Sequence, residues 1–524
     1  MLVRRPRGLI PRFTPSLPAT FAMDVLLALP PLPGWVQFGL VGLVLLFLFT
    51  KPKERSLDLY LADNLEAIAI SIAMALVLKF FVVEAYQIPT GSMQPTILGY
   101  EDNEKSIKDR VLADKLVTML RDPRRWEVMI FRFPLDERRL YVKRIVGLPG
   151  ERLEVRGGDI WINGAIARKP DHVNASVLKP VLGDGTERVN LDTWFSASGA
   201  TTLNGDGARF GADGGSLTLR AMVRDEYLHG YETDWGVRDS GRVVSGGVCV
   251  PDLQVSGRVR LPAGAEALRV VIGSDEGEAV FVLPRRGGSE TARVEIVPLA
   301  AERAGRTPQL PARVHAIDGD RSLPADADVS FVARWIDRQL VLEVDGDEWL
   351  RVADDEAGPR SNRPTRALVA FHSDGDASLS QVDVRRDIFY KPSVRTYDSD
   401  TVGTWQIPED SYFGMGDNTQ ASHDSRSWET RTVELRDGTV LSGFDFPPAN
   451  TGYPSVPSDA NPQRLPDGRL SFADVHGDSV AFDAANVVAE RSEPAPFIHR
   501  RYLLGKAVTV FWPVFSPFRW KLIQ

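Results

Sequence analysis

One cysteine, Cys249, in 524 residues leaves no partner for an internal disulfide and too few thiolates for a cysteine metal site. The 7 histidines are scattered, and none falls in a His-Glu-x-x-His pattern. Metal-assisted hydrolysis therefore lacks an evident ligand set, and neither a metal nor another cofactor is expected. Positive charge is not in excess: the net charge of −8 argues against nucleic acid as the main partner. Internal repeats and long low-complexity tracts are missing too. Long apolar runs stop at Val83, so no later segment has the roughly 20 residues that a helix needs to cross a bilayer. What remains is an ordinary globular balance, 43% apolar and 25% charged, in a chain long enough for two to four domains.

The two apolar runs are "PLPGWVQFGLVGLVLLFLFT", Pro31 to Thr50, and "LEAIAISIAMALVLKFFVV", Leu65 to Val83. Each approaches the length of a membrane span; the competing reading is a buried core helix. Lys79 lies near the end of the second, where its stem can carry the amine to the interface. Between the runs, Lys51, Lys53 and Arg55 favour a cytoplasmic loop with both flanks outside. Arg4, Arg5, Arg7 and Arg12 oppose that orientation, unless the chain starts at Met23. A cleaved signal peptide fits less well, because the second run follows so soon.

Beyond Val83 the pattern is mainly β. "DRVLADKLV", "WEVMIFRFP", "LYVKRIVGL" and "ERLEV" are short, branched and aromatic, and "RGGDIWINGA" reads as a hairpin with Asn-Gly at its tip. From 166 to 395 strand-like pieces recur between Gly, Asp, Ser and Pro separators, the pattern of a β-sandwich. Its clearest piece, "FVARWIDRQLVLEVDGDEWL", alternates apolar residues and turns at Asp-Gly; it resembles strands of laminin-G-like or lectin-like jelly rolls. Asp/Gly runs such as "NGDGARFGADGG" are read as turns rather than calcium loops.

Chemistry centres on three stretches. "EAYQIPTGSMQPTILGYE", Glu84 to Glu101, places Ser92 directly after the second apolar run. A serine hydroxyl needs a base, and no histidine lies near that part of the chain. "YVKRIVGLPGE" offers Lys143 on a largely apolar strand, where burial would favour the neutral amine that a base requires. Taken alone, Lys143 reads better as an edge-strand charge facing water. "MGDNTQASHDSR", taken alone, reads better as a cluster of polar turns.

The three stretches in this order, after two apolar runs, resemble the bacterial type I signal peptidases, the serine–lysine proteases of the cell envelope. "DRVLADKLV" and the closing "LLGKAVTVFW" fit the same family, and the matching stretches cover under a third of the chain. The resemblance implies Ser92 as nucleophile and Lys143 as general base. It implies Thr90 as an oxyanion-hole hydroxyl and Ser422 as the group orienting the lysine amine. Asp417 and Asn418 fall in its Gly-Asp-Asn turn, and Asp424 and Arg426 match a charged pair that braces the loop. Thr419 departs from the pattern, standing where the family often has arginine. His423 matches no family role and reads as a loop residue.

The implied fold is the mainly β signal-peptidase fold behind two membrane helices. The expected parts are a tail (1–24), a first membrane helix (25–50), a cytoplasmic loop (51–64) and a second membrane helix (65–83). A first catalytic part (84–165), an inserted β-sandwich (166–395), a second catalytic part (396–428), a second β-rich insertion (429–498) and a closing strand and tail (499–524) follow. The sandwich is expected to fold on its own core and stand away from the membrane. The implied activity is cleavage of exported preproteins after small residues at −1 and −3, at the outer face of the inner membrane. The lipid bilayer is the other expected partner, and "FWPVFSPFRW" offers aromatics for its interface. Two alternatives differ in class. A self-cleaving serine–lysine repressor would need a DNA-binding motif where the apolar runs stand. A membrane-anchored envelope-binding protein would carry the sandwich on a decayed protease frame.

Overall fold

The computed structural model describes residues 69–74, 76, 82–101, 106–182, 189–225, 248–298, 312–355, 361–362, 364–392, 403–419, 422–444, 461–512 and 520–523. The expected tail, first membrane helix and cytoplasmic loop lie outside these residues. Within the expected second membrane helix, residues 69–74 and 76 are helical. Among the described residues no helix is long and apolar enough to cross a membrane. The described residues up to Ala85, with Asp114–Leu116, group apart from the rest. All that follows concerns the remainder of the chain.

The site rests on one antiparallel sheet whose strands come from distant parts of the sequence. β1 (Val128–Phe133) and β2 (Asp136–Gly147) form a hairpin with Met129 opposite Lys143 and Val128 opposite Arg144. β2 changes character along its length. From Asp136 to Tyr141 exposure varies along the strand, and from Val142 to Gly147 every residue is buried. A strand covered on both faces must be apolar or have its polar groups paired. Lys143 and Arg144 fall in this covered half.

After β2 the chain turns into a second small sheet. β3 (Arg152–Arg156) pairs with β4 (Asp159–Ile162), and β4 turns back at Asn163 and Gly164, whose φ values of 51° and 87° are the left-handed pair a tight hairpin demands. β5 (Gly403–Gln406), on the far side of the insertion in sequence, pairs with β3. β6 (Ser411–Met415) then returns to the first sheet beside β2, and β7 (Leu503–Trp512) lies in it beside β1. The sheet order β7-β1-β2-β6 thus joins segments hundreds of residues apart.

The insertion builds a 13-stranded sheet. Burial alternates along Leu253–Arg260, as expected for a strand with one face in a core. The sheet folds over on itself: Phe331 and Phe371 lie on strands separated by three others, yet their rings are 6.5 Å apart. Flat, those strands would stand roughly 19 Å apart at about 4.8 Å per step. The two layers enclose Phe195, Phe210, Phe281, Leu342 and Trp335. Asp345-Gly346 makes the turn read from the sequence, with φ of 49° and 85°. A second turn, at Asp337 and Arg338 with φ of 48° and 56°, breaks the piece that alternation alone presents as continuous.

The root of the insertion does not stand apart. Val173, Val177, Ile388 and Tyr390 are buried in one cluster with Leu153, Val155, Phe413 and Met415 of the frame. The Lys169 amine, also buried, pairs with Asp337 at 2.5 Å and Asp387 at 2.8 Å. The two ends of the 166–395 stretch therefore pack on both sides: Val173, Val177, Ile388 and Tyr390 against the frame, and Phe389 in the sandwich core. The second insertion has its own small core of Val433, Leu435, Leu441, Phe472 and Phe482, while Phe444 and Trp428 pack with Phe133 of β1.

Candidate active site

Ser92 sits in a one-turn 3-10 segment, Gly91–Met93, entered from an extended Thr90. Met93 and Ile97 pin the segment into a cluster with Val111, Val128, Ile130 and Val142. Gly99 lets the chain close over it: a Cβ there would lie 2.5 Å from the Ile88 carbonyl oxygen and 2.6 Å from that of Thr90. The Thr90 and Ser92 hydroxyl oxygens are 3.4 Å apart. Ser92 is 7% exposed and lines the cavity beside it.

Lys143 lies at the start of the covered half of β2 and is 3% exposed. Its amine donates a hydrogen bond to Ser422 Oγ at 3.0 Å and stands 5.7 Å from the Tyr141 ring centre. Burial pushes its pKa down to about 8; the Asp424 and Asp417 charges oppose the drop and Arg426 assists it. Burial also pushes the Tyr141 hydroxyl up to about 12, so it does not compete as a base near neutral pH. Ser92 and Lys143 both line a cavity of about 130 Å³, walled also by Tyr86, Ile88, Ile130 and Tyr141.

The loop after β6 binds both groups. Asn418 donates its backbone N–H to the Ser92 carbonyl at 3.1 Å and its side-chain amide to the Gly91 carbonyl at 2.9 Å. Asp417 receives two hydrogen bonds from the Arg144 guanidinium, both 2.8 Å, and one from the Thr96 hydroxyl. Asp424 and Arg426 form a buried pair at 2.7 Å, and Asp424 also accepts from the Gly416 N–H at 3.0 Å. Burial alone would raise the Asp424 carboxyl, but Arg426 and then Lys143 outweigh it and hold it below the usual range. Gly416 permits this packing, since a Cβ there would lie 2.1 Å from Ser422 Oγ and 2.4 Å from the Ser92 carbonyl oxygen.

Ser92, Thr90, Lys143, Ser422, Asp417, Asn418, Asp424 and Arg426 are thus gathered in one place. Two side chains that matter here, Arg144 and Thr96, lie within the quoted stretches but carry no role that the sequence assigns. Arg144 had a weak signal: an arginine in a strand buried on both faces needs a buried partner. Thr96 had none. His423 is more than a loop residue, being 5% exposed and lining the cavity, with its ring 5.2 Å from Phe444 and 6.4 Å from Tyr141. Thr419 braces the loop without charge, donating from its hydroxyl to the Phe389 carbonyl at 3.0 Å.

Chemically, the arrangement offers a hydroxyl and a buried amine on one cavity, and a second hydroxyl close to the first. The backbone N–H of Ser92 and the Thr90 hydroxyl are the donors such a site can aim at a developing oxyanion. Thr90→Ala is expected to lower kcat by about 10²–10³, the range for one lost oxyanion donor, and Thr90→Ser to leave it nearly unchanged. Initial-rate measurements on a model peptide check this. A folded but inactive Thr90→Ser enzyme would show that the hydroxyl is not what counts.

The family model described as "Signal peptidase, peptidase S26" matches residues 61–196 and 360–441. "Signal peptidase I" of Leptolyngbya laminosa is 30% identical over 146 residues, which covers 26% of this chain and 66% of that protein. "Probable signal peptidase I-2" of Synechocystis sp. is 34% identical over 131 residues, 22% of this chain and 56% of that protein. "Signal peptidase I" of Pseudomonas fluorescens is 43% identical over 103 residues, 18% of this chain and 36% of that protein. The chain therefore spans between 36% and 66% of the length of these relatives. Among solved structures, "Carbohydrate binding module CBM66 from Bacillus subtilis" aligns with 36% of this chain and 92% of its own at 8% identity, with a TM-score of 0.23; a score that low bears on neither fold nor function.

Proposed function

We infer that this chain, a member of the signal peptidase family S26, is a membrane-bound serine endopeptidase that removes signal peptides from exported preproteins. The observation that carries this reading is the Lys143 amine, buried and fixed 3.0 Å from Ser422 Oγ, on the cavity that Ser92 shares.

In this reading Lys143 Nζ takes the proton of the Ser92 hydroxyl as Ser92 Oγ bonds to the scissile carbonyl carbon. The carbonyl oxygen gains the negative charge and receives hydrogen bonds from the Ser92 N–H and the Thr90 hydroxyl. The protonated amine then gives its proton to the departing amide nitrogen, the C–N bond breaks, and an acyl-enzyme remains on Ser92 Oγ. Water, deprotonated by Lys143, attacks the ester; the tetrahedral adduct collapses and the proton returns to Ser92. Ser422 holds the amine in line throughout.

A cavity of about 130 Å³ beside Ser92 suits small side chains of an extended substrate, which is the basis for choosing small residues at −1 and −3. The apolar run of 65–83 shortly before Ser92 would hold the site near the outer surface of the inner membrane, where a signal peptide emerges.

The neutral lysine is the working form, so the sign of the pH effect is fixed. kcat/KM is expected to rise with pH through a midpoint near 8 and level off above it, because below that value Lys143 is protonated and cannot accept the serine proton. A pH–rate profile with a preprotein, with the new N-terminus sequenced, tests both base and cleavage position. A limb near about 6.5 that disappears on changing His423 would move the base to a histidine.

A further inference from the structure

The lysine is oriented by Ser422, and Ser422 belongs to a loop that needs support of its own. Part of that support comes from the inserted domain. Its exit segment, 387–391, runs between two parts of the frame. On one side the Tyr390 N–H donates to the Gly158 carbonyl at 2.9 Å, at the turn between β3 and β4. On the other side its carbonyls receive the catalytic loop. Thr419 donates its hydroxyl to the Phe389 carbonyl at 3.0 Å, and Arg426 donates to the Lys391 carbonyl at 3.1 Å. The segment is held within the insertion as well, since the Lys391 amine pairs with Asp225 at 2.6 Å.

These bonds lead inward to the base. Arg426 also donates to the Thr419 carbonyl at 3.2 Å and pairs with Asp424, and Asp424 receives the Gly416 N–H. Thr419 follows Asn418, which grips the carbonyls of Gly91 and Ser92. The loop thus spans from the exit segment of the insertion to both reacting side chains, with Ser422 between the two tethers. Thr419 and Phe389 are buried, so their bond is made away from water, where a lost partner is costly.

We propose that Thr419 is a positioning residue, and that through the Thr419–Phe389 and Arg426–Lys391 tethers the inserted domain sets where the Ser422–Lys143 pair stands relative to Ser92. The insertion is then part of the catalytic frame. This rests on Lys143 serving as the base.

The charged groups bearing on Lys143 are Asp424, Arg426 and Asp417 of the same loop, and Tyr141 and His423 share its cavity. Loosening the loop moves the first three and lets water reach the amine. The test is Thr419→Val, which removes the hydroxyl at nearly constant shape, with Thr419→Ser as rescue and Thr419→Ala should valine not fold. kcat is expected to fall about 10- to 100-fold with KM little changed, a misplacement effect. The acid limb of kcat/KM should move to higher pH as Lys143 becomes hydrated, and Thr419→Ser should restore both. A variant that lowers the melting temperature but leaves the limb and kcat of the folded protein unchanged would overturn the proposal. Ser92→Ala, measured alongside, separates the two claims. If it stays active, the serine–lysine reading and the positioning role both fall; if it is dead while Thr419→Val is normal, only the positioning role falls.

Discussion

Ser92→Ala is expected to abolish cleavage of a preprotein, with kcat down by about 10⁴–10⁶, the scale seen when a serine nucleophile is removed. The loss should come without unfolding, because among the described residues the Ser92 hydroxyl makes only the 3.4 Å approach to Thr90, while the backbone around it carries the packing. Lys143→Met should be equally inactive. It should also be no less stable, since it replaces an amine whose charged form burial disfavours by an apolar chain of similar length. Lys143→Arg should fail as well, because a guanidinium does not give up its proton in a protein. The Ser92→Ala/Lys143→Met double variant should be no worse than either single one, since the two act as a unit. Cleavage assays on folded protein, checked by circular dichroism, decide this. Normal processing by either single variant would remove the mechanism.

Arg144→Met is expected to destabilise the protein by about 3–5 kcal/mol, the cost of leaving one member of a buried ion pair alone. Both side chains of the Arg144–Asp417 pair are wholly buried. Arg144 also donates to the Trp126 carbonyl at 2.7 Å, which would lose that partner. A domain has only about 5–15 kcal/mol in total, so the change should be plain in urea or thermal unfolding. Activity should fall with it, because Asp417 precedes the asparagine that holds the Ser92 turn. Adding Asp417→Leu should recover part of the stability, since it removes the stranded carboxylate, while activity stays low. Arg144→Met with wild-type stability would mean that the pair does not carry the loop.

Much of the site was legible because its residues lie in short motifs whose order survives the insertions. Ser92 with Thr90, Lys143 in its apolar strand, and Ser422 with Asp424 and Arg426 could each be picked out. Turns at Asn163-Gly164 and Asp345-Gly346 were equally plain, because few residues tolerate those backbone angles. Three features were not legible, each for a physical reason. Arg144 shares its stretch with Lys143 and draws no notice until the strand is known to be covered on both faces. The Asp337-Arg338 turn puts an arginine at positive φ, which no propensity suggests. The root of the insertion falls with the sandwich by position in the sequence alone, yet Val173 and Val177, on the short helix Asp171–Val177, and Ile388 and Tyr390 are buried by partners far away in sequence. Pattern reports that a face will be covered, not which surface covers it.

The most direct test of the account is the titration of Lys143 itself. With lysine labelled for NMR, the Lys143 amine can be followed against pH in the Ser92→Ala protein and compared with the acid limb of kcat/KM in the wild type. A midpoint near 8 is expected in both, well below that of an exposed lysine. An amine that stays protonated to about 10.4, with cleavage already at its plateau near neutral pH, would contradict it.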